Sequence, residues 1–256
     1  MSDAVVFVTG GSRGIGLALL EILLKGGNKV ANYSRSTTPE LQALSSKYGS
    51  ALLLIKGDLV DGSAARAAIK KTKETFGRLD SVVLNAGAMY PLERIATVSV
   101  DEFKSTFEAN VFSIIPFVQA ALPYLKESKL PHGGKVVAVS SAAALHGMAG
   151  VSAYCSSKAA LNILISALGN EEPSIVAVAV NPGMVETKMA KDMRVDGQKS
   201  MDPQWHGFMI NSFESGKNNL PEVPGTVIAA LALKAPKELT GKYFDFDSEE
   251  AKAVAA

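Results

Sequence analysis

The chain has 256 residues, is 47% hydrophobic, and carries a formal net charge of +1 from 26 basic and 25 acidic side chains. That is enough apolar mass for one sizeable core, and the charge balance excludes a strongly basic nucleic-acid binder or a protein held electrostatically to a membrane. The single cysteine, Cys155, excludes an intrachain disulfide and a cysteine-cluster metal site, and fits a reducing, cytoplasmic setting.

Apolar runs rich in Val, Ile and Leu recur at 4–8, 28–34, 51–57, 80–84, 134–140, 174–180 and 241–246. Amphipathic stretches near 14–25, 38–48, 61–77, 101–127, 152–169 and 222–234 separate them. Runs that are apolar throughout, without alternation, read as strands buried on both faces. Strand–helix repetition of this kind predicts an α/β fold, a doubly wound parallel sheet with helices on both sides. No linker-like stretch divides the chain, so residues 1–256 read as one domain. The longest apolar runs fall far short of the ~18 residues of a membrane span, and the first leads at once into a glycine-rich turn, unlike a signal peptide. One stretch breaks the rhythm: 187–221, rich in Met and polar residues, is expected to be a lid or binding loop.

The first strand runs into VTGGSRGIGLALL, with Gly10, Gly14 and Gly16 between strand and helix. Glycine permits a sharp turn and close approach of a phosphate, and the helix N-terminus offers free N–H groups to the anion. Ser12, Arg13 and Ile15 belong to the same candidate cofactor loop; tight packing alone is the competing reading. Where dinucleotide-binding folds place an acidic residue for the ribose hydroxyls, the second strand ends in Ser34, Arg35 and Ser36. An aspartate repels a 2′-phosphate and arginines attract one. A charge-assisted contact contributes about 1.5–3 kcal/mol, roughly 10–100-fold in affinity, so Arg35 and Arg13 favour NADP(H) over NAD(H). Asp58, followed by Leu59, either accepts from an adenine amino group or caps the helix near Asp61. Asn85, Ala86 and Gly87 end the fourth strand, where small residues leave room for a cofactor and Asn85 cross-links strand ends.

Farther on, Tyr154 and Lys158 stand at i and i+4 and share a helix face. A free tyrosine titrates near ~10, and lowering that by about three units takes ~4 kcal/mol of differential stabilisation. A nearby ammonium and a second positive charge in a dry cleft can supply it. Taken in order, TGGSRGIG, GDL, NAG, EANVFS, VSSAAA, YCSSK and NPGMVET span residues 9 to 187. Jointly they resemble the short-chain dehydrogenase/reductase family, with looser likeness to its sepiapterin-reductase-like branch that includes fungal benzil reductases.

The resemblance implies a Rossmann fold and a tetrad of Asn110, Ser141, Tyr154 and Lys158. Tyr154 would act as general acid, Ser141 (rather than Ser140, by the family's spacing) would hold the carbonyl oxygen, Lys158 would reach the nicotinamide ribose, and Asn110 would hold a water linking Lys158 to solvent. Pro182 and Gly183 would turn over the cofactor, with Val185 and Thr187 on the carboxamide. His146, Met148, Met189 and Trp205 are candidate substrate contacts. The resemblance further implies a homodimer, or a tetramer, packed through the 101–127 and 152–169 helices. Cys155 reads as buried filler, and the three histidines show no metal-ligand spacing. The expected function is NADPH-dependent reduction of a small carbonyl substrate, a ketone or vicinal diketone. The alternatives are an alcohol dehydrogenase acting on another substrate such as a hydroxysteroid, and a non-catalytic NADP(H)-binding redox sensor.

Overall fold

The computed structural model describes residues 3–256. Strand β1 (Val5–Thr9) sends Val6 and Val8 into one apolar core and Val5 and Phe7 into another, which is why the run is apolar without alternation. The same holds for β2 (Lys29–Ser34), β4 (Ser81–Leu84), β5 (Lys135–Val139) and β6 (Val176–Asn181). With β3 (Leu52–Lys56) and β7 (Tyr243–Asp245) they form a seven-stranded, all-parallel sheet in the order β3-β2-β1-β4-β5-β6-β7. Helices α1 (Gly14–Lys25), α9 (Glu222–Lys234) and α10 (Glu249–Ala255) cover one face. On the other face lie α3 (Gly62–Phe76), α5 (Ile114–Leu125) and α6 (Ser152–Glu171). The chain order reverses between β1 and β4, so a crevice opens beyond their C-terminal ends, where ligands bind in doubly wound sheets.

Local chemistry starts the helices. Thr38 caps α2 (Pro39–Tyr48) by accepting from Leu41 N–H, with Pro39 in the first turn. Asp61 caps α3, accepting from the Ser63 and Ala64 amides at 3.0 Å each, and Gly77 ends it in a left-handed conformation.

Three regions differ from the sequence expectation. The single helix expected over 101–127 is α4 (Val100–Phe107), a π turn (Glu108–Phe112) and α5. The extra residue shows in the Ser113 amide reaching back five residues to the Glu108 carbonyl at 2.9 Å. The segment 187–221 is built around two helices, α7 (Lys188–Asp196), capped by Thr187, and α8 (Pro203–Glu214), capped by Asp202. The terminal α10 has seven residues, too few for a periodic signal, and starts on Ser248. Among the described residues, no helix is long and apolar enough to cross a membrane.

Candidate active site

Beyond β1 and β4 the glycine turn is held by hydrogen bonds from both sides. The Asn85 amide group donates to the Thr9 and Gly10 carbonyls at 3.0 and 3.2 Å, and Thr9 Oγ1 accepts from the Asn85 and Ala86 amides at 3.1 Å each. On the β2 side, Asn32 Oδ1 accepts from the Gly11 amide at 2.9 Å while Asn32 Nδ2 donates to Ser34 Oγ at 3.0 Å. Gly10 (φ +77°) and Gly14 (φ +54°) adopt left-handed backbone that only glycine takes without strain. A Cβ on Gly16 would fall 2.3 Å from the Gly10 carbonyl oxygen, and one on Gly14 would meet the Thr187 methyl at 3.2 Å. The turn is thus close-packed at Gly10 and Gly16, where no side chain fits, and at Gly14 its backbone approaches the Thr187 turn.

The cleft over this turn has a volume of about 490 Å³. Gly10, Ser12, Arg13, Gly14, Ile15 and Gly16 line one part, with Ser34, Arg35, Ser36 and Leu59 at the β2–β3 end. Asn85, Ala86, Gly87, Pro182, Thr187 and Met189 line the middle, and Tyr154 and Lys158 the far wall. Arg13 and Arg35 are both exposed there, and Glu40 stands close enough to Arg13 that the guanidinium helps to hold its carboxyl below the usual range, after its own backbone amide and Thr38.

Several expected residues take other places. Asp58 does not cap α3. Its carboxylate accepts from the Val60 amide at 3.3 Å within its own turn, and Asp61, three residues on, is the cap. Asp58, Gly183 and Val185 do not line the cleft; Val185 instead pairs its backbone with Asn219. Thr187 Oγ1 accepts from the Ala190 amide as the α7 cap. His146 and Met148 line a larger depression of about 650 Å³ on the other side of Cys155, together with Leu145 and Ile95. The turn Ala142–Ala144 carries the chain past Tyr154 and leaves His146 exposed. That depression contains none of Ser141, Tyr154 and Lys158, so its size does not make it the chemical site. Trp205 lies outside both, 40% exposed and edge-on to Phe208.

Around Tyr154 the geometry is tight. The Ser141 hydroxyl lies beside the phenol and acts to lower it, but burial is the larger influence and raises the phenol above its ordinary value. The depression expected from a neighbouring ammonium is not a property of these side chains alone. Lys158 Nζ lies 5.8 Å from the Tyr154 ring centroid and donates to the Val139 carbonyl at 2.8 Å, and burial lowers it to about 8. Ser140 donates to Asn162 Oδ1 at 2.6 Å, so of the two adjacent serines only Ser141 offers its hydroxyl to Tyr154. The Asn110 side chain is fully engaged: Oδ1 accepts from the Ala88 amide at 2.7 Å, and Nδ2 donates to the Ala88 carbonyl and Ser157 Oγ at 2.8 and 2.9 Å. It therefore fixes the turn after β4 from within the π turn. A Cβ on Gly87 would meet Asn110 Oδ1 at 3.2 Å and Lys158 Nζ at 3.5 Å, which requires glycine's small size at that point.

Sequence reasoning missed Asn32, Tyr90 and Met89. Asn32 was visible as an amide in the middle of a buried strand. Tyr90 lines the cleft and donates to the Asp196 carboxylate at the end of α7, which pushes the phenol up to about 12. Nothing in the sequence joins residues that far apart.

A partly buried ion pair braces the 187–221 segment. Arg194 makes two bonds to Glu186, at 3.0 and 2.6 Å, and its guanidinium stacks 4.0 Å from the centre of the Phe213 ring. Asn218 Nδ2 donates to the same carboxylate at 3.0 Å. Arg194 is 10% exposed, so breaking the pair strands a half-buried charge. Arg194→Gln is expected to cost about 2 kcal/mol, lowering the melting temperature by roughly 4–8 °C for a chain of this size; thermal unfolding checks it, and an unchanged midpoint would remove the pair from the account. Arg194 is the main influence lowering the Glu186 carboxyl, so this stability is present above the ordinary glutamate range and is lost as pH falls through the lowered value.

The model of short chain dehydrogenases matches residues 4–198, and the chain belongs to the short-chain dehydrogenase/reductase family. An uncharacterized oxidoreductase of Schizosaccharomyces pombe is 39% identical over 248 residues, 96% of this chain and 98% of that one. A benzil reductase ((S)-benzoin forming) of Saccharomyces cerevisiae is 34% identical, with 96% of this chain and 96% of that one covered. A diacetyl reductase ((S)-acetoin forming) of Staphylococcus aureus is 30% identical, covering 94% and 95%. The crystal structure of a short chain dehydrogenase/reductase from Saccharomyces cerevisiae superposes with a TM-score of 0.93 at 33% identity, over 98% of this chain and 99% of that one.

Proposed function

We propose that the protein is an NADPH-dependent carbonyl reductase that converts a ketone, in particular one carbonyl of a vicinal diketone, to an alcohol. The observation that carries this reading is the placing of Tyr154 and Lys158, with Ser141 beside the phenol, on the wall of a cleft whose other end holds the glycine turn and two arginines. The relatives that reduce benzil and diacetyl act on vicinal diketones, which supports that substrate class.

The bare backbone of the glycine turn at the N-terminus of α1 fits a pyrophosphate, and the exposed Arg13 and Arg35 fit a 2′-phosphate. When bound, the nicotinamide supplies a hydride. The chain's own residues handle the proton and the oxygen. Tyr154, kept protonated by burial, donates its phenolic proton to the carbonyl oxygen as that atom gains charge. Ser141 donates to the same oxygen and fixes its position. Lys158 steadies the resulting phenolate and holds the ribose. Asn110 keeps the Ala88 turn, and with it the cleft wall, in place. The segment 187–221 serves as the substrate lid. The same side chains run in reverse oxidise an alcohol, and the balance of oxidised and reduced cofactor sets the direction.

Two copies pair through α5 and α6 into a homodimer, or a tetramer, where Phe112, Ile115 and Ile163 are exposed. The protein works in the cytoplasm.

Lys158 is lowered to about 8 by burial, so its ammonium is present below that pH and lost as pH rises through it. The expected kcat/KM profile for reduction is flat on the acid side and falls about tenfold per pH unit above a midpoint near 8. A profile rising through pH 8 would contradict the assigned role of the ammonium. The reading as a whole is tested by NADPH consumption with benzil and with diacetyl. Turnover of either supports it, and tight NADPH binding with no turnover across a ketone panel makes the protein a sensor instead.

A further inference from the structure

The seven methionines among the described residues gather in one place. Met89, Met148 and Met184 come from turns beyond the strands, and Met189, Met193, Met201 and Met209 from the 187–221 segment. They pack with Leu92, Val151, Tyr154 and Cys155. Among the described residues, the two cores against the sheet faces contain no methionine. The aromatic side chains of α8 point the other way: Trp205, Phe208 and Phe213 are 40%, 51% and 47% exposed. Met89 and Met189 line the same cleft as Tyr154. Beside Tyr90 and Val139, the flexible apolar side chains on this wall are therefore thioethers, one from the body and one from the 187–221 segment.

This segregation has a physical consequence. Val, Ile and Leu hold one shape, as the sheet cores require. Methionine is unbranched, with three rotatable bonds, and repacks around objects of different width, while its polarizable sulfur makes favourable contacts at the edges of aromatic rings. A wall of such side chains on both the body and the lid accepts flat, bulky groups of varying size. It offers little to a methyl group.

We propose that Met89 and Met189 determine the substrate specificity of the site, and that they select vicinal diketones bearing aryl groups over dialkyl ones. The inference rests on the carbonyl-reductase reading and adds the class of substituent beside the carbonyl.

The test compares wild type, Met89→Leu, Met189→Leu and the double variant, since leucine is close in volume but branched and without sulfur. For each, kcat/KM is measured with NADPH on benzil and on diacetyl, and benzil binding to the protein–NADP⁺ complex is measured separately by calorimetry. Each substitution is expected to lower kcat/KM for benzil roughly two- to tenfold, and that for diacetyl by much less. Benzil binding is expected to weaken in step. An equal fall on both diketones, or an undiminished rate on benzil in the double variant, overturns the inference while leaving the reductase intact. Benzil binding that depends on both methionines without any turnover keeps the inference and defeats the reductase reading. Neither binding nor turnover of benzil defeats both.

Discussion

Tyr154→Phe is expected to reduce kcat for carbonyl reduction by about 10²–10⁴-fold, the usual contribution of a positioned general acid. The substitution removes one oxygen and keeps the ring, so the packing of Tyr154 among the methionines survives. The Ser141 hydroxyl loses its phenol partner but remains tied to the Ala143 amide at 3.2 Å, and the cost to stability stays near 1 kcal/mol. NADPH affinity, read by fluorescence titration, should change little. Equal losses in kcat and kcat/KM mark an interaction made only in the transition state. A rise in KM with kcat preserved would show that Tyr154 only binds substrate, and the proton would have to come from elsewhere.

Removing the two arginines should reverse the preference for cofactor. Arg13→Ser with Arg35→Ser is expected to weaken NADPH binding by roughly 10–100-fold for each charge-assisted hydrogen bond removed, with little change for NADH. Arg35 should show the larger effect, because Glu40 already shares the charge of Arg13. Both side chains are exposed, so the fold does not depend on them and the melting temperature should not move. Added salt should narrow the NADPH advantage in the wild type, since exposed charges are screened over about 10 Å at 0.1 M. A double variant that still prefers NADPH would place the 2′-phosphate against other groups.

Much of the fold was legible because β1, β2, β4, β5 and β6 are buried on both faces, and runs such as VVFV and KVVAV have no other simple reading. The glycine turn was legible for a similar reason: Gly10 and Gly14 adopt backbone that other residues resist, so the constraint is written in the residue type. Tyr154 and Lys158 could be paired because a helix fixes the relation between i and i+4. The chain's own chemistry around them was harder to read. The raised phenol of Tyr154 and the lowered ammonium of Lys158 follow from burial, which depends on packing by segments far away in sequence. The π turn at Asn110 leaves no periodic trace over five residues. The 187–221 segment looked like a loop because the inward face of α7 and α8 is methionine rather than a stripe of Leu and Ile. His146 looked well placed between Ser141 and Tyr154 along the chain, yet the turn at Ala142–Ala144 sends it to the outside.

The most direct test of the account follows the hydride. NADPH carrying deuterium at C4, on each face in separate reactions, is incubated with the wild-type protein and benzil, and the product alcohol is examined by mass spectrometry and NMR. Deuterium from one face is expected on the carbinol carbon, in one enantiomer of the product, and Tyr154→Phe is expected to abolish its formation. NADPH held in the cleft with no deuterium delivered to any carbonyl carbon would contradict the account.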